Sequence, residues 1–200
     1  ACTASKRFIV VESLADRFLD KFALALGNFR AGDPLDARTT LAPLSSERAL
    51  ATLLEQVDRA VAAGARVIMG GARIDRAGAF MQPTILTNID AANPAYKEEF
   101  FGPVALFFRV TNADAAVALA NDSLFGLGGS VFTRDIERGK QVARRIDTGM
   151  VFINSAAVSS PELPFGGVKH SGYGRELGRM GIQEFVNKKL IQSGHTAVPV

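Results

Sequence analysis

Residue types that build several common functional sites are scarce in this sequence. The 200 residues include one cysteine and two histidines. A single cysteine excludes an internal disulfide and a multi-thiolate metal site, so Cys2 acts as a free thiol if it acts at all. His170 and His195 have no metal-ligand spacing to each other or to the cysteine, and the sequence therefore predicts no metal site. Both histidines are interpreted as polar loop or tail residues rather than as catalytic bases.

Long runs of one chemical character are also missing. The 23 basic and 20 acidic residues give a net charge of +3. They are spread without a block of like charge, so no nucleic-acid partner is expected. No uncharged apolar stretch reaches the roughly 18 residues that span a bilayer, and no signal peptide opens the chain. We therefore expect a soluble protein in a reducing, cytoplasmic setting, with no membrane partner.

Three familiar glycine or nucleophile motifs are incomplete. Gly172, Gly174 and Gly178 are spaced one residue too far apart for the dinucleotide-binding fingerprint, and they do not follow a predicted strand. The run from Gly126 to Gly129 lacks the Lys-Ser/Thr pair of a phosphate-binding loop, and no G-x-S-x-G nucleophile elbow occurs. The dense glycines of residues 164–174 instead predict a functional crossing loop that runs close to a ligand or to another segment.

Predicted strands and helices alternate along the chain. Hydrophobic spacing predicts a strand from Arg7 to Val11, a helix with a capping-box start at Ser13, and a second helix capped by Ser45-Ser46 and ended by Gly64. Further predicted elements are strands at 67–69, 80–86, 104–110, 129–132 and 149–154, and helices at 113–121 and 136–146 that start after Asn112 and Asp135. This order implies an α/β fold with a mainly parallel, helix-covered sheet.

Cys2 is the candidate nucleophile of the chain. The residues from Thr3 to Arg7 are compatible with a helix, and helix N-terminal N–H groups lower the pKa of a thiol that precedes them. Lys6 and Arg7 add positive charge nearby. The alternative is an inert buried cysteine, because free cysteines are among the most buried residues. The position and the charges favour a reactive thiolate.

Three segments of the chain resemble motifs of the NAD(P)-dependent aldehyde dehydrogenase superfamily, in the order in which that family carries them. They are A-C-T-A-S-K-R at 1–7, K-E-E-F-F-G-P-V at 97–104 and P-F-G-G-V-K-H-S-G-Y-G-R-E-L-G at 164–178. The resemblance covers essentially the whole chain. Within the superfamily the chain most resembles succinate-semialdehyde dehydrogenases. The segments that carry this resemblance are S-S-P-E-L-P at 159–164 and G-I-Q-E-F at 181–185.

The resemblance implies roles for individual residues. Cys2 matches the family's nucleophile, whose thiolate attacks the aldehyde carbon while its backbone N–H holds the oxyanion. Glu99 matches the glutamate that accepts hydrogen bonds from the nicotinamide ribose hydroxyls, and Phe101 matches the aromatic residue beside the nicotinamide ring. The alternatives are that Glu98 and Glu99 form a solvated charge pair and that Phe101 belongs to the core.

The substrate is indicated by the loop that precedes the third motif. Phe165 matches a residue that walls the aldehyde tunnel, with core packing as the alternative. Ser159 and Ser160 lie where relatives acting on apolar aldehydes carry bulky side chains. Two hydroxyls there predict a polar substrate end, such as the carboxylate of succinate semialdehyde, because buried hydroxyls need polar partners. The alternative is that both serines only shape the turn beside Pro161.

The resemblance also implies an organisation for the chain. Residues 1–165 match the catalytic domain, 166–185 the segment that crosses to a cofactor-binding domain, and 186–200 an oligomerisation strand that pairs with another subunit. The family's general-base glutamate, its second oxyanion donor and its nucleotide-binding half lie upstream of the cysteine. We therefore expect a fragment that works with NAD or NADP only when joined to that half, within a homo-oligomer such as a dimer or tetramer.

Two other classes of function stay open. One is a thiol hydrolase or thioesterase that pairs Cys2 with a histidine, which requires a ring nitrogen within hydrogen-bond reach of the sulfur. The other is a non-enzymatic fragment that assembles with other subunits through its sheet and tail. The choice between NAD and NADP also stays open, because the residues that meet the adenosine ribose are not in this chain.

Overall fold

The structure, a computed structural model, describes residues 1–194. Its elements in chain order are β1 (Arg7–Val11), α1 (Glu12–Gly27), α2 (Glu47–Ala62), β2 (Arg66–Met69), β3 (Thr84–Thr87), a 3₁₀ helix (Pro94–Tyr96), β4 (Val104–Val110), α3 (Ala113–Asn121), β5 (Phe125–Gly126), β6 (Gly128–Val131), α4 (Ile136–Ala143), β7 (Met150–Ile153), β8 (Val168–Lys169) and α5 (Gly178–Gln183). Among the helices of residues 1–194, none has both the length and the apolar character that a membrane crossing requires.

The strands form one four-stranded sheet and two small pairs. In the large sheet the order is β1-β4-β3-β2, with β1 and β3 parallel to β4 and β2 antiparallel to β3. β6 pairs with β7 in parallel, and β5 pairs with β8 in antiparallel fashion. The α/β class is confirmed, and most pairs of the large sheet are parallel as predicted, but β2 is antiparallel and makes the sheet mixed. The reason lies between β2 and β3, where residues 70–83 contain no helix and so do not provide the crossover that parallel strands need.

The core lies on both faces of the large sheet. β4 runs through its middle and alternates its side chains, so that Leu106 and Phe108 face α2 while Ala105 and Phe107 face α1. Burial on both faces makes β4 a nearly continuous apolar run, as expected for an internal strand. Each fully buried leucine or phenylalanine stabilises the fold by about 1.5–3 kcal/mol relative to exposure. The two helices therefore hold β4 and the loop that precedes it in a fixed position.

Most predicted element starts are confirmed, because they depend on local hydrogen bonds. The predicted caps of α2, α3 and α4 are the side chains of Ser46, Asn112 and Asp135, which accept from the backbone N–H groups of Ala49, Ala115 and Arg138. The capping box at Ser13 is wrong: α1 starts at Glu12 after Val11, with no side-chain cap. Since β1 continues into α1 without a turn, Ser13 already lies inside the first helical turn. The strand predicted from residue 80 begins only after Pro83, which has no N–H to donate to a ladder.

The C-terminal segment differs from its prediction. Residues 187–194 form neither helix nor strand, and residues 195–200, with His195, lie outside the described part. A strand requires a hydrogen-bonding neighbour, and within residues 1–194 no strand pairs with this segment. Leu190 and Ile191 are 87% and 85% exposed, so their apolar surface is free in this chain. The oligomerisation strand over 186–200 stays a prediction.

Candidate functional site

The candidate nucleophile lies in a turn. Cys2 is exposed, and the Ala4 N–H closes the turn by donating to the Ala1 carbonyl oxygen at 3.1 Å. The predicted helix after Cys2 is wrong, because the chain passes from this turn directly into β1. Cys2 therefore does not precede a helix, and no helix N-terminal N–H groups act on its thiol. Exposure also excludes the alternative of a buried, inert cysteine.

Lys6 connects this turn to the second motif. Its ammonium donates to the carbonyl oxygens of Ala1 at 3.2 Å and Cys2 at 3.0 Å. The same ammonium pairs with Glu99 Oε1 at 3.2 Å and lies 5.1 Å from the centre of the Phe101 ring. The first two motifs, distant in sequence, thus meet around one lysine. Sequence reasoning identified Lys6 only as a nearby charge, because no local spacing indicates its partner.

Glu98 and Glu99 face different partners. Arg59 donates to both carboxylate oxygens of Glu98, at 3.0 and 2.9 Å. Gln56 donates to Glu98 Oε2 and to the Glu99 carbonyl oxygen, each at 3.1 Å. Both partners lie on α2, so this helix fixes the backbone of the segment. The two glutamates are therefore not a simple solvated pair.

The two phenylalanines of the second motif have opposite environments. Phe100 is fully buried in the core, whereas Phe101 is 55% exposed. The alternative that Phe101 is a core residue is therefore wrong, since Phe100 takes that role. A Cβ at Gly102 would overlap the Leu53 side chain of α2, so glycine lets the turn pack tightly against the helix. This packing presents the Phe101 ring and the Glu99 carboxylate on the surface beside Lys6.

Arg7 anchors the start of β1. Its guanidinium donates to the carbonyl oxygens of Leu119 at 2.8 Å and Ala120 at 3.2 Å, near the C-terminal end of α3. It also lies 5.4 Å from the Phe108 ring centre. Burial lowers the pKa of the Arg7 guanidinium from its ordinary value. The group nevertheless stays charged, because an arginine starts far above neutral pH, and it complements the negative end of the helix.

The third motif is a loop folded back on itself. Phe165 and Glu176 exchange backbone hydrogen bonds at 2.8 and 2.7 Å. Arg175 donates to the carbonyl oxygen of Gly167 at 2.9 Å. The backbone has positive φ at Gly166, Lys169, Gly172, Gly174, Leu177 and Gly178. The loop runs close to other segments as predicted, and its glycines make most of these conformations accessible. Its role as a functional crossing stays a prediction.

The predicted substrate residues lie just before this loop and at its start. Phe165 is half-buried, Ser160 is partly buried and Ser159 is exposed. The Ser160 hydroxyl donates to the Glu162 carboxylate, and this hydrogen bond lowers the pKa of Glu162. Within residues 1–194, no hydrogen bond joins this loop to Cys2, Lys6, Glu99 or Phe101. The structure therefore joins the Cys2 turn to Glu99 and Phe101 through Lys6, and among the described residues no hydrogen bond links Ser159, Ser160 or Phe165 to this cluster.

His170 contacts Leu124 and Phe125. Its backbone N–H donates to the Leu124 carbonyl oxygen at 3.0 Å, and its ring meets the edge of Phe125 at 6.3 Å between centres. In the part of the chain that the structure describes, no hydrogen bond joins His170 to Cys2. The hydrolase interpretation therefore lacks its base among these residues, and His195 lies outside them.

Comparison with known proteins identifies the family of this chain. The model of the aldehyde dehydrogenase family matches residues 1–191. The chain is 51% identical over 193 residues to a succinate-semialdehyde dehydrogenase [NADP(+)] of Deinococcus radiodurans, covering 96% of this chain and 40% of that protein. It is 47% identical over 191 residues to a probable enzyme of the same name from Synechocystis, covering 96% of this chain and 42% of that protein.

Solved structures of relatives have the same fold. A succinic semialdehyde dehydrogenase of Streptococcus pyogenes in complex with NADP+ superposes with a TM-score of 0.94 at 48% identity, covering 96% of this chain and 42% of that one. A betaine aldehyde dehydrogenase of Staphylococcus aureus in complex with NAD+ superposes with a TM-score of 0.89 at 36% identity, covering 92% and 38%. This chain thus spans about two fifths of the length of these relatives. It belongs to the aldehyde dehydrogenase family.

Proposed function

We propose that this chain is the catalytic half of an aldehyde dehydrogenase that oxidises succinate semialdehyde, or a similar aldehyde with a terminal carboxylate, using NAD+ or NADP+. The observation that carries the proposal is the meeting of Cys2, Glu99 and Phe101 around Lys6. A nucleophile, a carboxylate and an aromatic ring are the groups that a cysteine-dependent aldehyde oxidation needs near one another.

The residues of the site fit a nicotinamide nucleotide. Glu99 offers two acceptor oxygens on a partly exposed side chain, which suits a ribose diol, and the Phe101 ring offers an exposed flat face. When bound, the oxidised nicotinamide accepts the hydride. Three of the relatives above have NADP(+) in their name or in their complex, and one is in complex with NAD+. We would test NADP+ first.

Cys2 supplies the covalent chemistry in this proposal. Its thiolate adds to the aldehyde carbon, and the carbonyl electrons move onto the oxygen, which the Cys2 backbone N–H stabilises. Loss of hydride from that carbon leaves a thioester. Water then adds to the thioester carbon, and collapse releases the carboxylic acid and restores the thiolate. The water-activating base and the second oxyanion donor belong to an upstream half in this proposal, and an enzyme that contains both halves is called the complete enzyme below.

The isolated chain is expected to be much less active than the complete enzyme. Absence of the general base alone reduces turnover by about 10²- to 10⁴-fold. The measurement is NADPH formation at saturating succinate semialdehyde and NADP+, with circular dichroism as the check that the isolated chain is folded. A folded isolated chain within tenfold of the complete enzyme would contradict the division into halves. No NADPH from the complete enzyme would contradict the activity itself.

The serine pair supports a carboxylated substrate. A substrate carboxylate needs hydrogen-bond donors, and Ser159 is exposed and available for one. Ser160 already donates to Glu162, a negative group that would repel a second carboxylate. We therefore propose that Ser159 contributes more than Ser160, with a basic residue of the upstream half as the charge partner.

Substrate kinetics test the role of the serines. The complete enzyme is expected to have a higher kcat/KM for succinate semialdehyde than for butanal, an uncharged aldehyde of equal length. Ser159→Ala should reduce this ratio about fivefold, as a lost hydrogen bond of roughly 1 kcal/mol implies, and Ser160→Ala should reduce it less. Ser155→Ala is the matched control, since that hydroxyl donates to the Ala156 carbonyl oxygen in the same segment. Equal kcat/KM for the two aldehydes would refute the preference.

The end of the described chain supports the proposed organisation. Apolar side chains are exposed on and after α5, including Met180, Ile182, Phe185, Leu190 and Ile191. A patch of this kind marks a surface that another segment or subunit covers. We propose that 166–185 crosses to the cofactor-binding half and that the residues from 186 pair with another subunit in a homo-oligomer.

A further inference from the structure

The ammonium of Lys6 lies among three oxygens. It donates to the carbonyl oxygens of Ala1 and Cys2 and forms an ion pair with Glu99 Oε1 at 3.2 Å. A lysine ammonium carries three N–H donors, one for each of these oxygens. Only 13% of the Lys6 side chain is exposed, so water competes little for these donors. The position of the ammonium is therefore defined by the turn and the carboxylate together.

The Glu99 side chain depends on this one partner. Gln56 fixes the Glu99 backbone through its carbonyl oxygen, but it does not touch the carboxylate. Among the described residues, Lys6 is the only ion-pair partner of that carboxylate, and the Glu99 side chain is 37% exposed. Without Lys6, the side chain is free to rotate into solvent. A carboxylate that must accept hydrogen bonds from a diol then loses its preorganisation.

We infer that Lys6 is a positioning residue, which orients the Glu99 carboxylate for the cofactor ribose and locks it to the turn that carries Cys2. The inference rests on the proposed cofactor role of Glu99. In this inference Lys6 acts on the ribose through Glu99. A lysine suits the position because its compact ammonium can face two carbonyl oxygens and a carboxylate at once, whereas the guanidinium of arginine holds its donors in one plane.

A double-mutant cycle in the complete enzyme tests the inference. Lys6→Met and Glu99→Gln are each expected to raise the Kd for NADP+ and to slow single-turnover hydride transfer by about five- to tenfold. The KM for the aldehyde should stay within twofold. In the Glu99→Gln background, Lys6→Met should add almost nothing, because the partner through which it acts is already lost. Lys6→Arg keeps the charge, so its affinity for NADP+ should lie between that of Lys6→Met and that of the wild type.

The control is a lysine on the neighbouring segment. Lys97→Met removes an ammonium that pairs with Asp122 instead of Glu99. It should leave the Kd for NADP+ within twofold of the wild type, which shows that loss of charge in this region is not sufficient by itself. A Lys97→Met effect equal to that of Lys6→Met would overturn the inference.

Failure of the inference and failure of the proposed function give different results. If Glu99→Gln leaves both the Kd and the hydride-transfer rate unchanged, the proposed cofactor role of Glu99 is wrong. If Glu99→Gln weakens NADP+ binding but Lys6→Met does not, the positioning role is wrong and the proposed function stands. The same holds if the fold-changes of the two single variants multiply fully in the double variant. Should Lys6→Met fail to fold, Lys6→Gln takes its place, and full multiplicativity with Glu99→Gln again overturns the inference.

Discussion

Replacing Cys2 with serine in the complete enzyme is expected to abolish aldehyde oxidation and to leave the affinity for the cofactor nearly unchanged. This is the largest effect that we expect. A cysteine is partly ionised near neutral pH and is strongly nucleophilic, whereas a serine hydroxyl needs a general base to attack. No histidine of the described chain lies in hydrogen-bond contact with residue 2. We therefore expect a fall in kcat of at least about 10³-fold, as for the loss of a covalent nucleophile.

The measurement is NADPH absorbance under saturating substrates, together with a binding titration of NADP+. Ser5→Ala is the matched control, since Ser5 is an exposed residue just after the same turn. This control should keep at least half of the wild-type rate. If the Cys2→Ser enzyme kept more than about 1% of wild-type activity, another residue would have to be the nucleophile.

The second large effect is expected from Gly149→Ala. Gly149 lies just before β7, and its Cα faces the backbone of the third motif. A Cβ there would lie 2.7 Å from both the Gly166 carbonyl carbon and the Gly167 Cα, and closer still to the Gly166 oxygen. Backbone atoms cannot move aside as a flexible side chain can, so the loop that carries Phe165 must shift. Overpacking of this kind costs about 3 kcal/mol.

Urea unfolding of the complete enzyme, followed by circular dichroism, measures this effect as a change in midpoint. We expect the Gly149→Ala midpoint to fall by roughly 0.5–1 M, because a cost of about 3 kcal/mol is divided by an m value that increases with protein size. Gly129→Ala in β6 is the matched control. The atom nearest to a Cβ at Gly129 would be Ile146 Cγ2 at 3.8 Å, which is an ordinary contact. Its midpoint should change by less than about 0.3 M. Equal midpoints for the two variants would show that the loop does not pack on Gly149 as described.

Local features of this protein were predictable because they depend on residues a few positions apart. The helix starts at Ser46, Asn112 and Asp135 each use a side chain that reaches a backbone N–H three residues ahead. β4 was predicted with its observed bounds, because six of its seven residues are apolar and such a short apolar run is typical of a buried strand. The family resemblance was visible for a similar reason, since each of its three motifs is a short continuous segment.

Features that join distant segments were not predictable in this way. The turn at Cys2 replaces a predicted helix, because residues 7–11 pair with β4 and this pairing takes the chain into the sheet. β2 is antiparallel to β3 because the connection between them, residues 70–83, contains no helix. The meeting of Lys6 with Glu99 depends on the packing of β1 beside β4 and of the second motif against α2.

Sequence by itself thus determined the α/β class, the main helices and the identity of the candidate nucleophile, because helix caps, hydrophobic periodicity and contiguous motifs are local. Only the tertiary structure decided which of the two motif phenylalanines is exposed, what holds Glu99, and that Ser160 already has a carboxylate partner. These outcomes depend on which surfaces the sheet and α2 bury. Burial is a property of the packed chain as a whole, and no window of neighbouring residues contains it.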